Sequence, residues 1–131
     1  MSNETSTLWP FAEFAANLKP EDLPDDVVHA AKRCLLDWFA AFLPGTLEAP
    51  ATLLTKAMSD CIGRGGARLY PGGQETDART AAFINGAASH TVEFDDIYRN
   101  ALYHPGVPVI SAALAIAQAR GVSGDKLLTG I

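Results

Sequence analysis

Three carboxylates, Glu93, Asp95 and Asp96, fall within four residues of one another, and two histidines, His90 and His104, flank them. The cluster follows directly on an apolar helical run. The end of such a helix already carries partial negative charge, so local stability would favour Lys or Arg there. A local rule broken inside an otherwise consistent sequence marks a candidate functional site. Carboxylates and imidazoles gathered in this way are the groups that move protons near neutral pH.

His104 precedes Pro105, which biases its backbone toward an extended conformation and limits where the imidazole points. Gly106 then lets the chain turn into the next helix. Blander roles stand beside these. Asp95 and Asp96 have the chemistry to cap the following turn, and Glu93 to sit in a buried ion pair. His90 equally fits a core histidine bonded to a neighbour, and Arg99 a solvated loop charge. Asp95, Asp96 and His104 make an incomplete ligand set, so neither a metal nor another cofactor is expected.

The elements that must position these groups are helical. Leu8, Phe11, Phe14, Ala15 and Leu18 lie at helical spacing between Thr7 and Leu18, and Pro20 breaks that run. Pro24 suits the first turn of a second helix, with Asp25 and Asp26 near its positive end. Val27, Ala31, Cys34, Leu35, Trp38 and Phe42 then form one apolar stripe, which Pro44-Gly45 ends. A third helix is expected from about Ala49 to Ile62, followed by a glycine-rich connector, Gly63 to Gly66. Those glycines lack phosphate-loop spacing. Ala67 to Tyr70 reads as a short extended piece before the turn Pro71-Gly72-Gly73.

Residues 77–94 predict a helix of small residues, and residues 107–119 a helix that is apolar almost all round. Both read as enveloped by protein. Ser123 is placed to cap a further helix that would break off at Ile131, so the chain is expected to be part of a longer one.

The chain has 131 residues, 48% of them hydrophobic and 19% charged, with a formal net charge of −5. That balance suits a globular protein and excludes a disordered one. With no basic stripe or polybasic segment, neither nucleic acid nor a membrane surface is expected as a partner. Met1 to Thr5 lacks the pattern of a signal peptide. Cys34 and Cys61 read as free thiols buried in the core, and a cytoplasmic location is expected.

Asn85-Gly86-Ala87-Ala88-Ser89-His90, then Glu93-Phe94-Asp95-Asp96, then His104-Pro105-Gly106 resemble the signature of the MmgE/PrpD family. Asp22 to Asp37 is similar to the family's second-helix pattern, and Ala115 to Gly124 to another of its stretches. The likeness spans nearly the whole chain in the right order. It implies an all-α architecture of five to six helices with short connectors. Residues 1–131 would be the N-terminal portion of a helical domain, with a smaller α/β domain beyond, usually in a homodimer.

The resemblance further implies a lyase or isomerase acting on a small di- or tricarboxylic acid without an obligatory metal. The expected reaction is proton abstraction next to a carboxylate, of the 2-methylcitrate dehydratase kind, with epimerisation as the alternative. His104, Asp95 and Asp96 would be catalytic, and Glu93, Arg99, Ile97 and His90 would bind substrate. The family's Asp-Phe-Asp-Asp-Thr becomes Glu93-Phe94-Asp95-Asp96-Ile97 here. Ile97 therefore stands where the family has a hydroxyl, which argues against decarboxylation. The connector to His104 is about one residue longer than the family's and contains Arg99, which is suited to pairing with a substrate carboxylate. With so few cations near the motif, the isolated chain reads as a non-catalytic helical module.

Overall fold

Apolar periodicity and helix punctuation are realised in a computed structural model that describes residues 6–131. The order is α1 (Trp9–Asn17), α2 (Asp25–Gly45), α3 (Ala51–Ala57), β1 (Ile62–Leu69), β2 (Gln74–Thr76), α4 (Ala78–His90), α5 (Gly106–Arg120) and α6 (Gly124–Leu128). The fold is predominantly helical, with one antiparallel hairpin added.

The long helices α2, α4 and α5 pack against one another. At one end Trp38 and Phe42 of α2 join Ala51, Ala88 and Ile110 in a buried cluster. The Trp38 indole stacks on Phe42 at 4.6 Å and donates to the Ser111 hydroxyl of α5 at 3.1 Å, so its polar edge is satisfied inside the core. At the other end Ala67 and Leu69 of β1 pack with Ala81, Ile84 and Ala115. The small residues of α4 are what allow this closeness. A Cβ built on Gly45 would lie 1.9 Å from the Ala88 carbonyl oxygen, so only glycine lets α2 end against α4.

The third helix is shorter than its sequence pattern predicts. It stops at Ala57, Ser59–Cys61 form a 3-10 turn, and β1 begins at Ile62. Pairing with β2 takes over there: the buried Thr76 hydroxyl donates to the Cys61 carbonyl at 2.8 Å. Gly63 to Gly66 are thus not a connector between elements. They form an irregularity inside β1, because both Ile62 and Ala67 register with Thr76. The turn at Pro71-Gly72-Gly73 and the extended Ala67 to Leu69 agree with expectation.

The helix ends follow their signals. Pro24 is the N-cap of α2, Gly121 closes α5 in the left-handed region at φ 61°, and Ser123 caps α6 by accepting from the Lys126 amide. Envelopment is incomplete, however. Phe83 of α4 and Ile116 of α5 are exposed, and α1 buries none of its residues, leaving Phe11 and Phe14 in the open.

Asp77 caps α4. Its carboxylate accepts from the Thr80 hydroxyl at 2.6 Å and from the Arg79 and Thr80 amides. The Thr80 hydroxyl foremost, then the Thr80 amide, hold this carboxyl below its ordinary value of 3.8, with desolvation opposing and Arg79 adding in the same direction. The folded state therefore binds this proton less readily than the unfolded chain, so the contribution to stability is present above the ordinary value. It is lost as pH falls through the lowered one. Asp77→Asn should flatten the fall in melting temperature as pH drops below 3.8. Parallel wild-type and variant melting curves across that range would show that the cap carries no pH-dependent stability.

Candidate functional site

The site is built on the end of α4, the loop 91–105 and the start of α5. His90 is the last residue of α4, and His104 stands just before Pro105, the N-cap of α5. Helix packing of α4 on α5 therefore brings together two histidines that lie far apart along the chain.

The loop between them is held in an unusual path. Glu93 and Leu102 both take positive φ, at 52° and 49°, a region that non-glycine residues seldom occupy. Such outliers persist only where surrounding structure enforces them, and they cluster at functional sites. Glu93 turns the chain through the left-handed region just after α4, and two residues on the Asp95 carboxylate reaches the His90 ring. Further on, Tyr98 and Tyr103 pair as an isolated antiparallel bridge, with the Tyr98 amide donating to the Tyr103 carbonyl at 2.7 Å.

Asp95 is the centre of the arrangement. Its side chain is only 2% exposed, against 46% for His90 and 30% for His104. The His90 Nδ1 lies 3.2 and 3.1 Å from the two carboxylate oxygens. The His104 Nδ1 lies 3.0 Å from Oδ2 of the same carboxylate. This second contact is close but off the hydrogen-bond axis, which leaves the buried His104 Nδ1 without an aligned partner. The two rings meet edge to face with centroids 4.7 Å apart. Among the described residues Asp95 has no Lys or Arg salt-bridge partner, so the imidazoles are its neighbours of opposite potential charge.

Asp96 points elsewhere. Both of its carboxylate oxygens accept from the Gly106 amide, each at 3.1 Å, so it ties the loop to the first residue of α5. A Cβ on Gly106 would meet Asp96 Oδ1 at 2.5 Å. Glu93, Ile97 and Arg99 are exposed, and Arg99 follows Tyr98 at the outer end of the bridged loop. The structure thus gathers His90, Asp95 and His104, uses Asp96 as a backbone anchor and leaves the other three facing solvent.

Two features were not read from the sequence. One is the convergence of both histidines on one carboxylate, which the five-residue separation of His90 and Asp95 across a helix end only hints at. The other is a groove beside Asp96 lined by Arg33, Cys34 and Asp37 of α2, which brings a cation near the loop. Arg33 and Asp37 lie off the apolar stripe of α2. The stripe marks Cys34 as a core residue, whereas the structure leaves it exposed at the groove and Cys61 only half-buried.

His90, Asp95 and His104 offer three donor atoms within 4.8 Å of one another, two imidazole nitrogens and one carboxylate oxygen. That set has the chemistry to hold a first-row divalent cation. It differs from the grouping considered from the sequence, because Asp96 is engaged by the backbone and His90 takes its place.

Comparison with known proteins covers almost the whole chain. The MmgE/PrpD N-terminal domain matches residues 10–131. A cis-aconitate decarboxylase-like protein of Aspergillus oryzae is 30% identical over 113 residues, which is 86% of this chain and 23% of that protein. The cis-aconitate decarboxylase of Aspergillus terreus is 29% identical over 118 residues, covering 90% of this chain and 24% of its own length. That of Homo sapiens is 35% identical over 117 residues, with 83% and 23% covered. The chain spans about a quarter of the length of the curated relatives it matches. No solved structure matches it.

Proposed function

Because this chain belongs to the MmgE/PrpD family, we propose that it supplies the N-terminal helical part of a lyase acting on a small di- or tricarboxylic acid. The reading rests on one observation above the others: His104 borders a buried carboxylate, Asp95, at 3.0 Å on a loop that Asp96 ties to the start of α5. An imidazole backed by a carboxylate is suited to taking a proton from carbon. The acidic hydrogen lies beside a substrate carboxylate, which spreads the negative charge left when the proton departs.

His104 takes or returns that proton, and Asp95 holds the ring in place. Asp96 fixes the loop to α5, and Glu93, Ile97, Arg99 and His90 border the substrate. In dehydration the electron pair of the broken C–H bond forms the new double bond, and hydroxide leaves as water after protonation. In decarboxylation the C–C bond to a carboxylate breaks, CO2 leaves, and the retained electron pair is protonated. Epimerisation needs the first proton transfer and its return to the opposite face. The remaining cations for a multiply charged substrate would come from the longer protein, where homodimerisation through the helical domain is also expected.

The named relatives favour decarboxylation of cis-aconitate, whereas Ile97, which lacks the family's hydroxyl, argues against equating this chain with those decarboxylases. Ile97→Thr in the longer protein decides how much that position selects. Relative rates on cis-aconitate, 2-methylcitrate and iminodisuccinate should shift several-fold while the melting temperature stays nearly constant. Unchanged relative rates would exclude position 97 from substrate selection. The reaction class has its own test: in D2O, deuterium should enter substrate or product at the carbon beside a carboxylate. Turnover without such incorporation on any of these acids would sink the proton-transfer reading.

A further inference from the structure

We propose that Asp95 is a positioning residue for two imidazoles at once, holding the proton of both His90 and His104 on Nδ1. Each ring then presents a bare Nε2, and a substrate meets two proton acceptors instead of one. The argument begins with the carboxylate. An ionised carboxylate only accepts hydrogen bonds, and its side chain here is almost fully buried. Both Nδ1 atoms approach Oδ2, at 3.1 and 3.0 Å. A nitrogen lone pair that close to an anionic oxygen would be repelled, so a hydrogen belongs on each Nδ1. For His90 the hydrogen bond is aligned and shared between both oxygens. For His104 the contact lies off the hydrogen-bond axis, and there the ring dipole decides: an anionic oxygen 3.0 Å from Nδ1 favours the tautomer that puts the positive N–H edge on that side.

The outward sides of the rings complete the case. The His104 Nδ1 is buried although the side chain is 30% exposed, so the open part of the ring is its other side. Among the described residues no side-chain hydrogen bond is made by Nε2 of either histidine. A neutral imidazole has one donor and one acceptor nitrogen, and fixing the first makes the second an acceptor. The catalytic consequence rests on the proton-transfer reading above, whereas the tautomers do not.

Nitrogen NMR of the full chain, labelled in histidine and recorded where the imidazoles are neutral, reads the tautomers directly. His29, an exposed histidine of α2, serves as the internal reference. His90 and His104 should both show the proton on Nδ1, while His29 shows the ordinary preference for Nε2. Asp95→Asn leaves one accepting oxygen and adds a donating amide, so one of the two rings should change tautomer. Asp95→Ala should return both toward the His29 pattern. His90 or His104 matching His29 in the unmutated chain would overturn the proposal without any variant having to fold. So would signals that change on adding a chelator, since a bound cation would then occupy the space assigned to the protons. Correct tautomers in a longer protein that moves no proton would leave this inference standing and refute the reaction instead.

Discussion

His104→Ala in the longer protein should slow the chemical step by roughly 10²–10⁴-fold, the usual contribution of a positioned acid or base. The size of the loss follows from the surroundings. Among the described residues the two histidines are the side-chain partners of Asp95, and His90 is tied to it through both oxygens. Removing the His104 ring takes away the acceptor nearest the anchored end of the loop and leaves His90, at the end of α4, with Asp95. The readout separates roles. A group acting in proton transfer lowers kcat and kcat/KM together, whereas one that only binds a substrate carboxylate raises KM with kcat retained. Unchanged kcat and KM on the true substrate would remove the residue on which the proposed function depends.

The parts of this architecture that were legible in the sequence are those governed by local chemistry. Pro24, Gly121 and Ser123 end or begin helices because of backbone geometry and capping, which act over a few residues. Asp95 stands out because a carboxylate cluster at a helix C-terminus breaks a local rule, and His104 because Pro105 constrains its backbone. What the sequence concealed depends on contacts between distant segments. The run from Ala49 to Ile62 looks helical by composition, yet hairpin pairing with Gln74–Thr76 claims its last residue for a strand. His90 reads as a helix residue with a neighbour to bond, and only the turn at Glu93 reveals that the neighbour is Asp95. Asp96 sits next to Asp95 in sequence but serves a different partner, the Gly106 amide, because successive side chains in the loop face different ways.

The site's two halves are carried by α4 and α5, so its geometry is only as firm as the core that packs those helices against α2. Phe42 is the test of that core. It is fully buried, stacks on Trp38 at 4.6 Å with planes 13° apart, and meets Tyr70 edge to face at 6.1 Å. Phe42→Ala removes an aromatic ring from a cluster that cannot easily close around the gap, since the Gly45 backbone already abuts Ala88. The expected cost is about 3–5 kcal/mol. A domain of this kind has a total stability of only about 5–15 kcal/mol, so the variant should be close to unfolding. Denaturant titration of the full chain should show a much lower midpoint with little change in slope. Leu36→Ala is the control, because Leu36 lies on the same helix but is 71% exposed. Its effect should stay within about 0.5 kcal/mol. Equal midpoints for the two variants would mean that α2 does not pack through the Trp38–Phe42 face. The framework holding His90 and His104 together would then have to be something else.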